Sequence, residues 1–184
     1  MWVHGHAIVG GNARMTDAAG RMPAALRFEA DWVRFQAGLD RADVSLIGRR
    51  THEAAPNVAR RARVVVTGNP AYSLGDERAV AFDPAAGELK SFLAARFGPA
   101  AHVAVVGGTD VFELAGRALG YDAFDLTVAP AIRLEGGRPV FAGALDLAAL
   151  AHRLERLGLA RTATRTLAAP APLRAQAWRR RELS

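Results

Sequence analysis

Short apolar runs that stop at turn residues alternate along this chain with stretches whose apolar residues recur every three or four positions. Residues 2–9 read as a first strand, closed by the turn signal Gly10-Gly11-Asn12. Residues 12–26 have no period and contain Gly20, Met22 and Pro23, which predicts a long loop of the kind that serves as a lid. The spacing of Phe28, Trp32, Phe35 and Leu39 predicts a helix over 26–39, with Trp32 in the core. Strands are expected at 44–47, 64–66, 103–106 and 124–129, with a weaker one at 79–82. Between them, helical patterns cover 88–97 and 110–119, and a short helix at 51–55 ends at Pro56. After the loop around Pro139-Val140-Phe141 comes a turn or short helix at 149–158. An antiparallel pair at 159–167 and 173–181 turns around Ala169-Pro170-Ala171-Pro172.

Strands alternating with helices, then two successive strands, imply an α/β fold. The sheet is mostly parallel, with antiparallel C-terminal edge strands, in a single domain over residues 1–184.

Composition narrows the chemistry. Hydrophobic residues make up 51% of the 184, enough for a folded domain with a real core. There is no cysteine, so disulfides, thiolate metal sites and a cysteine nucleophile are excluded, and a reducing cytoplasm is compatible. The first residues lack a basic start and a long apolar run, so no signal peptide or membrane segment is expected. The net charge of +6 is carried almost wholly by arginine, Lys90 being the only lysine. The arginines are scattered, without interleaved aromatics, and nucleic acid is not an expected partner. Arg179-Arg180-Arg181 leaves a weaker polyanion-binding reading. The terminal strands offer an edge for a possible homodimer.

Two bends carry the most information. Val44-Ser45-Leu46-Ile47 runs into Gly48-Arg49-Arg50-Thr51, and Val103-Ala104-Val105-Val106 runs into Gly107-Gly108-Thr109-Asp110-Val111-Phe112. Each places the start of a helix just beyond a strand end, where free N–H groups attract phosphate. Arg49 and Arg50 add positive charge and Thr51 a hydroxyl, while Gly107 and Gly108 allow close approach to the main chain. Together they suggest a phosphorylated dinucleotide lying across the strand ends. The spacing does not match the G-x-G-x-x-G fingerprint. His4 and His6 share one face of the first strand, but with no carboxylate nearby in sequence the expectation is ordinary packing and no metal.

These residues resemble the dihydrofolate reductase superfamily, which includes the reductase domain of the bifunctional deaminase/reductase of riboflavin biosynthesis. Gly48-Arg49-Arg50-Thr51 is similar to the family's phosphate-contacting turn, and Val65-Val66-Thr67-Gly68 to its third strand, by the adenosine end. Val106 through Phe112 is similar to its paired-glycine turn, against nicotinamide and pyrophosphate, and Leu126-Thr127 to its Leu-Thr strand. The resemblance implies NADPH as cofactor, held by Gly48, Arg49, Arg50, Thr51, Thr67, Gly68, Val106, Gly107, Gly108, Thr109, Asp110, Val111 and Phe112. Asp31, four residues before Phe35, matches the family's substrate-binding carboxylate, with Thr127 as its hydroxyl partner; Glu29 is the rival acid. Ala7 and Phe35 would line the substrate, and Arg61 would grip a substrate carboxylate. The implied activity is NADPH-dependent reduction of a pterin-like ring, most of all dihydrofolate. The alternatives are a 5-amino-6-(5-phosphoribosylamino)uracil reductase or a non-catalytic nucleotide-binding protein of the same fold.

Overall fold

A computed structural model describes residues 1–69, 71–167 and 172–181 of the protein. The expected turn at Ala169-Pro170-Ala171 falls outside them. An eight-stranded sheet forms the centre, in the order β4-β3-β2-β5-β1-β6-β8-β7. Its strands are β1 (Trp2–Gly10), β2 (Val44–Gly48), β3 (Arg63–Val66), β4 (Ala79–Phe82), β5 (His102–Val105), β6 (Ala123–Ala129), β7 (Leu159–Leu167) and β8 (Leu173–Arg180). The first six pair in parallel, and β8 runs antiparallel to both β6 and β7. The alternating pattern thus forms the sheet expected of it. Among the described residues, no helix is long and apolar enough to cross a membrane.

The helices are α1 (Glu29–Asp40), α2 (Arg49–Ala54), α3 (Leu89–Phe97), α4 (Thr109–Ala118) and α5 (Leu147–Arg156). The last is a full helix rather than the turn or short helix expected; Asp146 caps it by accepting from the Ala149 amide at 2.7 Å. The lid stretch contains one 3-10 turn at Ala24–Leu26.

Side chains of a strand alternate between faces, so each sheet face has its own composition. One face carries Val3 and Val9 of β1, Phe124, Leu126 and Val128 of β6, and Leu46, Val64 and Val105. Leu89 and Leu93 of α3, Phe112 and Ala115 of α4, and Leu150 and Leu154 of α5 close over it. Gly5 belongs to this face because the Phe124 ring lies where its side chain would be. The opposite face, under α1, carries His4 and His6 of β1, Ser45 of β2, Ala104 of β5, and Asp125 and Thr127 of β6.

That second face explains why α1 sits differently from its sequence pattern. The stripe Asp31, Arg34, Phe35 and Gly38 faces the sheet, displaced from the expected Phe28-Trp32-Phe35-Leu39 stripe. Trp32 is 53% exposed and Val33 57%, which corrects the expectation that Trp32 is core. A sheet surface bearing histidine, aspartate and threonine takes the polar side of the helix.

Candidate active site

Because β1 to β6 are parallel, their C-terminal ends share one rim. β2 and β5 are neighbours in the sheet, so the two glycine bends meet there. The Val106 amide donates to the Leu46 carbonyl at 3.1 Å. A Cβ on Gly107 would stand 3.2 Å from the Thr51 methyl, and one on Gly48 would stand 3.3 Å from a Val111 methyl. Gly108 has φ +83°, a conformation that favours glycine. Thr109 fixes the bend by donating its hydroxyl to the Pro139 carbonyl at 2.6 Å. Val111 and Phe112 turn into the core, Phe112 against Phe124 and Phe141. The surface at this bend is therefore main chain and small side chains, at the positive end of α4.

Further along the rim, Arg49 donates to Glu53 at 2.8 Å and its guanidinium lies 5.4 Å from the Tyr72 ring centre. The Tyr72 hydroxyl donates to Glu53 at 2.6 Å, which holds the Glu53 carboxyl below its ordinary range and pushes the tyrosine above its own. Arg50 is exposed and, among the described residues, makes no ion pair. Thr67 is buried at the end of β3, its hydroxyl accepting from the Asn69 amide at 3.2 Å, and Gly68 beside it is open. A cleft of about 790 Å³ lies beyond α2, lined by His52, Glu53, Asn57, Arg63 and Tyr72. It is three strands away from β6 and so distant from Asp31.

Asp31 lies half-buried in the first turn of α1. Burial raises its carboxyl above the usual range, while Thr127 and Arg34 pull it back. Thr127 is 2% exposed. Arg34 Nη1 stands 3.5 Å from the Thr127 hydroxyl, so the threonine faces both a carboxylate and a guanidinium. Phe35 packs edge-on to His6, with ring centres 6.0 Å apart. Sequence reasoning brought Asp31 and Thr127 together but missed Arg34. Its spacing of three from Asp31 was the available signal.

The polar line continues inward. Asp125, two residues before Thr127 and on the same sheet face, lies 3.1 Å from Arg179 and 4.0 Å from Arg34. His4 Nε2 stands 3.3 Å from Asp125 Oδ2, a charge-pair distance without hydrogen-bond alignment. Burial alone would raise the Asp125 carboxyl, but His4 and Arg179 hold it well below the carboxylate range. Burial and neighbouring His4 push His6 down to about 3, so its imidazole is neutral at neutral pH. The carboxylate absent from the neighbourhood of His4 and His6 in sequence is thus delivered by the β1–β6 pairing, in which His6 stands beside Asp125.

Other singled-out residues fall elsewhere. Arg61 is tied to Asp40 through Nε at 3.1 Å and to Gln36 at 2.7 Å, at the far end of α1 from Asp31. Ala7 packs toward the apolar core rather than under α1, so it offers Asp31's side of the sheet only main chain. Glu29 is exposed. The terminal arginine cluster is dispersed: Arg179 pairs with Asp125 on one face, and Arg180 with Asp122 and the Tyr121 carbonyl on the other.

No protein-family model matches the chain, and no curated protein matches it in sequence. Its structure is similar to that of dihydrofolate reductase from Enterococcus faecalis complexed with NADP(H) and RAB-propyl. The TM-score is 0.69 at 16% identity, over 98% of this chain and 97% of that one. At that identity the likeness establishes the fold.

Proposed function

We propose that this chain, which has the dihydrofolate reductase fold, is an NADPH-dependent reductase of a pterin-like or aminopyrimidine ring. The observation that carries the reading is the meeting of the two glycine bends on one rim of the sheet whose Thr127 lies under Asp31 of α1. The residues present fit a nicotinamide nucleotide. The Gly107-Gly108 bend leaves main chain uncovered, Thr51 sits against it, and Arg50 is exposed and makes no ion pair among the described residues. Gly48, Thr51 and residues 106–110 would take the pyrophosphate and nicotinamide side, and Val111 and Phe112 would support that bend from the core. Arg49, Arg50, Thr67 and Gly68 would take the adenosine side, with a 2′-phosphate drawing on Arg50 and on Arg49 when Glu53 yields it.

A nicotinamide nucleotide held there supplies hydride. The chain's own residues do the rest. Asp31 accepts N–H groups from the ring edge, and its raised pKa lets it hold a proton for the ring nitrogen nearer neutral pH. Thr127 fixes the carboxylate. Phe35 supplies an apolar wall, and α1 with the lid stretch excludes water.

Dihydrofolate is the first substrate to test. Arg34 favours a second reading, the ribosylamino-uracil of riboflavin biosynthesis, because its donors stand beside Asp31 where a ring carbonyl can accept. Loss of nicotinamide absorbance with each substrate separates the two. Turnover of either supports the reductase. Cofactor binding without turnover of any pteridine or aminopyrimidine would replace it with a nucleotide-binding protein of the same fold.

A further inference from the structure

The geometry points to a second site in this chain: His4, His6 and Asp125 form a ligand set for one first-row divalent cation, zinc above all. It rests on other residues than the cofactor rim and stands without the reductase reading.

The arrangement comes from two simple registers. Residues two apart on a strand share a face, so β1 aims both imidazoles under α1. Parallel pairing sets Asp125 of β6 beside His6. One ligand atom from each residue then lies within 4.8 Å of the others. The edge from His4 Nε2 to Asp125 Oδ2 is 3.3 Å. Metal–ligand bonds of about 2.0–2.1 Å in tetrahedral geometry set neighbouring ligand atoms about 3.3 Å apart. One edge of the polyhedron is therefore in place.

A second observation concerns unmet valence. His4 and His6 are 9% and 6% exposed, and the Nε2 atom of each is buried with no hydrogen-bond partner among the described residues. Buried polar atoms are normally satisfied, whereas His6 Nε2 has no partner and His4 Nε2 has only the Asp125 carboxylate at 3.3 Å, off hydrogen-bond alignment. A cation shared by both satisfies them together. The helix above passes close over the pair: Gly38 is the residue of α1 over His6, and a Cβ there would stand 2.5 Å from His6 Cε1 and 3.0 Å from its Nε2.

The surroundings suit a held carboxylate. Arg179 binds Asp125 Oδ1 at 3.1 Å and leaves Oδ2 turned toward His4. Arg34 is the competing cation, 4.0 Å from Oδ2. Its side chain is 31% exposed and also reaches Thr127, so a bound cation displaces it toward Thr127 and solvent. Two imidazoles and one carboxylate select zinc, cobalt or nickel over calcium and magnesium, which need more oxygen ligands. Three protein ligands leave a fourth position for water. His102 is not a member: its Nδ1 lies 2.9 Å from the Arg41 carbonyl, and its ring is stacked 6.0 Å from that of His4.

The test uses the full chain, stripped with a chelator and dialysed against zinc or cobalt. The wild type takes up one cation per chain by elemental mass spectrometry, and the cobalt form shows the visible absorption of a low-coordinate site. His6→Phe and Asp125→Asn each weaken uptake by at least about tenfold, whereas His102→Phe leaves it unchanged. Equal uptake by wild type and a His4→Phe/His6→Phe double variant overturns the proposal, as does no uptake at all. Where a variant fails to fold by circular dichroism, X-ray absorption of the zinc-loaded wild type decides. Two imidazoles around the metal support the site, and none refutes it. NADPH binding by the stripped protein reports on the rim separately.

Discussion

The two faces of β1 and β6 teach opposite lessons about the same strands. On one face Val3, Val9, Phe124, Leu126 and Val128 meet Phe112, Tyr121 and Phe141 in a closed aromatic and aliphatic core. On the other, one residue along, His4, His6, Asp125 and Thr127 meet Asp31 and Arg34. The first arrangement gains stability from buried apolar area. The second leaves buried nitrogens unsatisfied and holds Asp31 against its ordinary ionisation, both costs to folding. A fold that concentrates such costs on the face under α1 has largely divided stability from chemistry.

Substitutions on the two faces break that comparison in different currencies. Phe124→Ala removes a ring from the aromatic cluster and should cost about 3–5 kcal/mol. Urea denaturation measures it, and a loss under about 1 kcal/mol would mean that this face is not the stabilising one. Asp31→Asn should do the reverse. Turnover of the reduced substrate falls by about 100-fold or more. Stability at neutral pH rises, because the raised pKa means the folded state disfavours the Asp31 charge. That penalty is absent below the unfolded value of 3.8 and grows as pH rises through the folded value. The variant's advantage should accordingly vanish in acid. A variant that is less stable than wild type at neutral pH would put Asp31 on a solvated surface.

Thr127→Val sharpens the picture within the polar face. The hydroxyl favours the charged form of Asp31, so its removal should raise the carboxyl further and move upward the pH at which the rate falls as Asp31 loses its proton. An unmoved profile would separate Thr127 from Asp31. The smallest effect belongs to the rim. Arg50→Ala should weaken NADPH by about threefold, as expected of one exposed charge, and leave NADH unchanged. Equal loss for both would remove Arg50 from the 2′-phosphate.

Much of this was legible in the chain because strand and turn signals are local. The β2 and β5 bends are written in consecutive residues, and glycines with apolar runs before them place helix starts at strand ends whatever the rest does. The orientation of α1 was not legible. Phe28, Trp32, Phe35 and Leu39 form the more apolar stripe, but the sheet beneath is polar, and only the tertiary partner decides which side of a helix is buried. Asp125 was hidden for the same reason. It lies 119 positions from His6, and the parallel register alone brings them side by side. The full helix at Leu147–Arg156 was under-read because its Asp146 cap was passed over.

The most direct test of the central claim is titration of the wild-type protein with NADPH, followed by nicotinamide fluorescence, beside a Gly107→Val variant. The two touching bends predict saturable binding below about 1 mM by the wild type. They also predict its loss in a variant whose new side chain meets Thr51 and fills the bend. Absence of binding by both NADPH and NADH to the wild type, or undiminished binding by Gly107→Val, would contradict a cofactor seat at this rim.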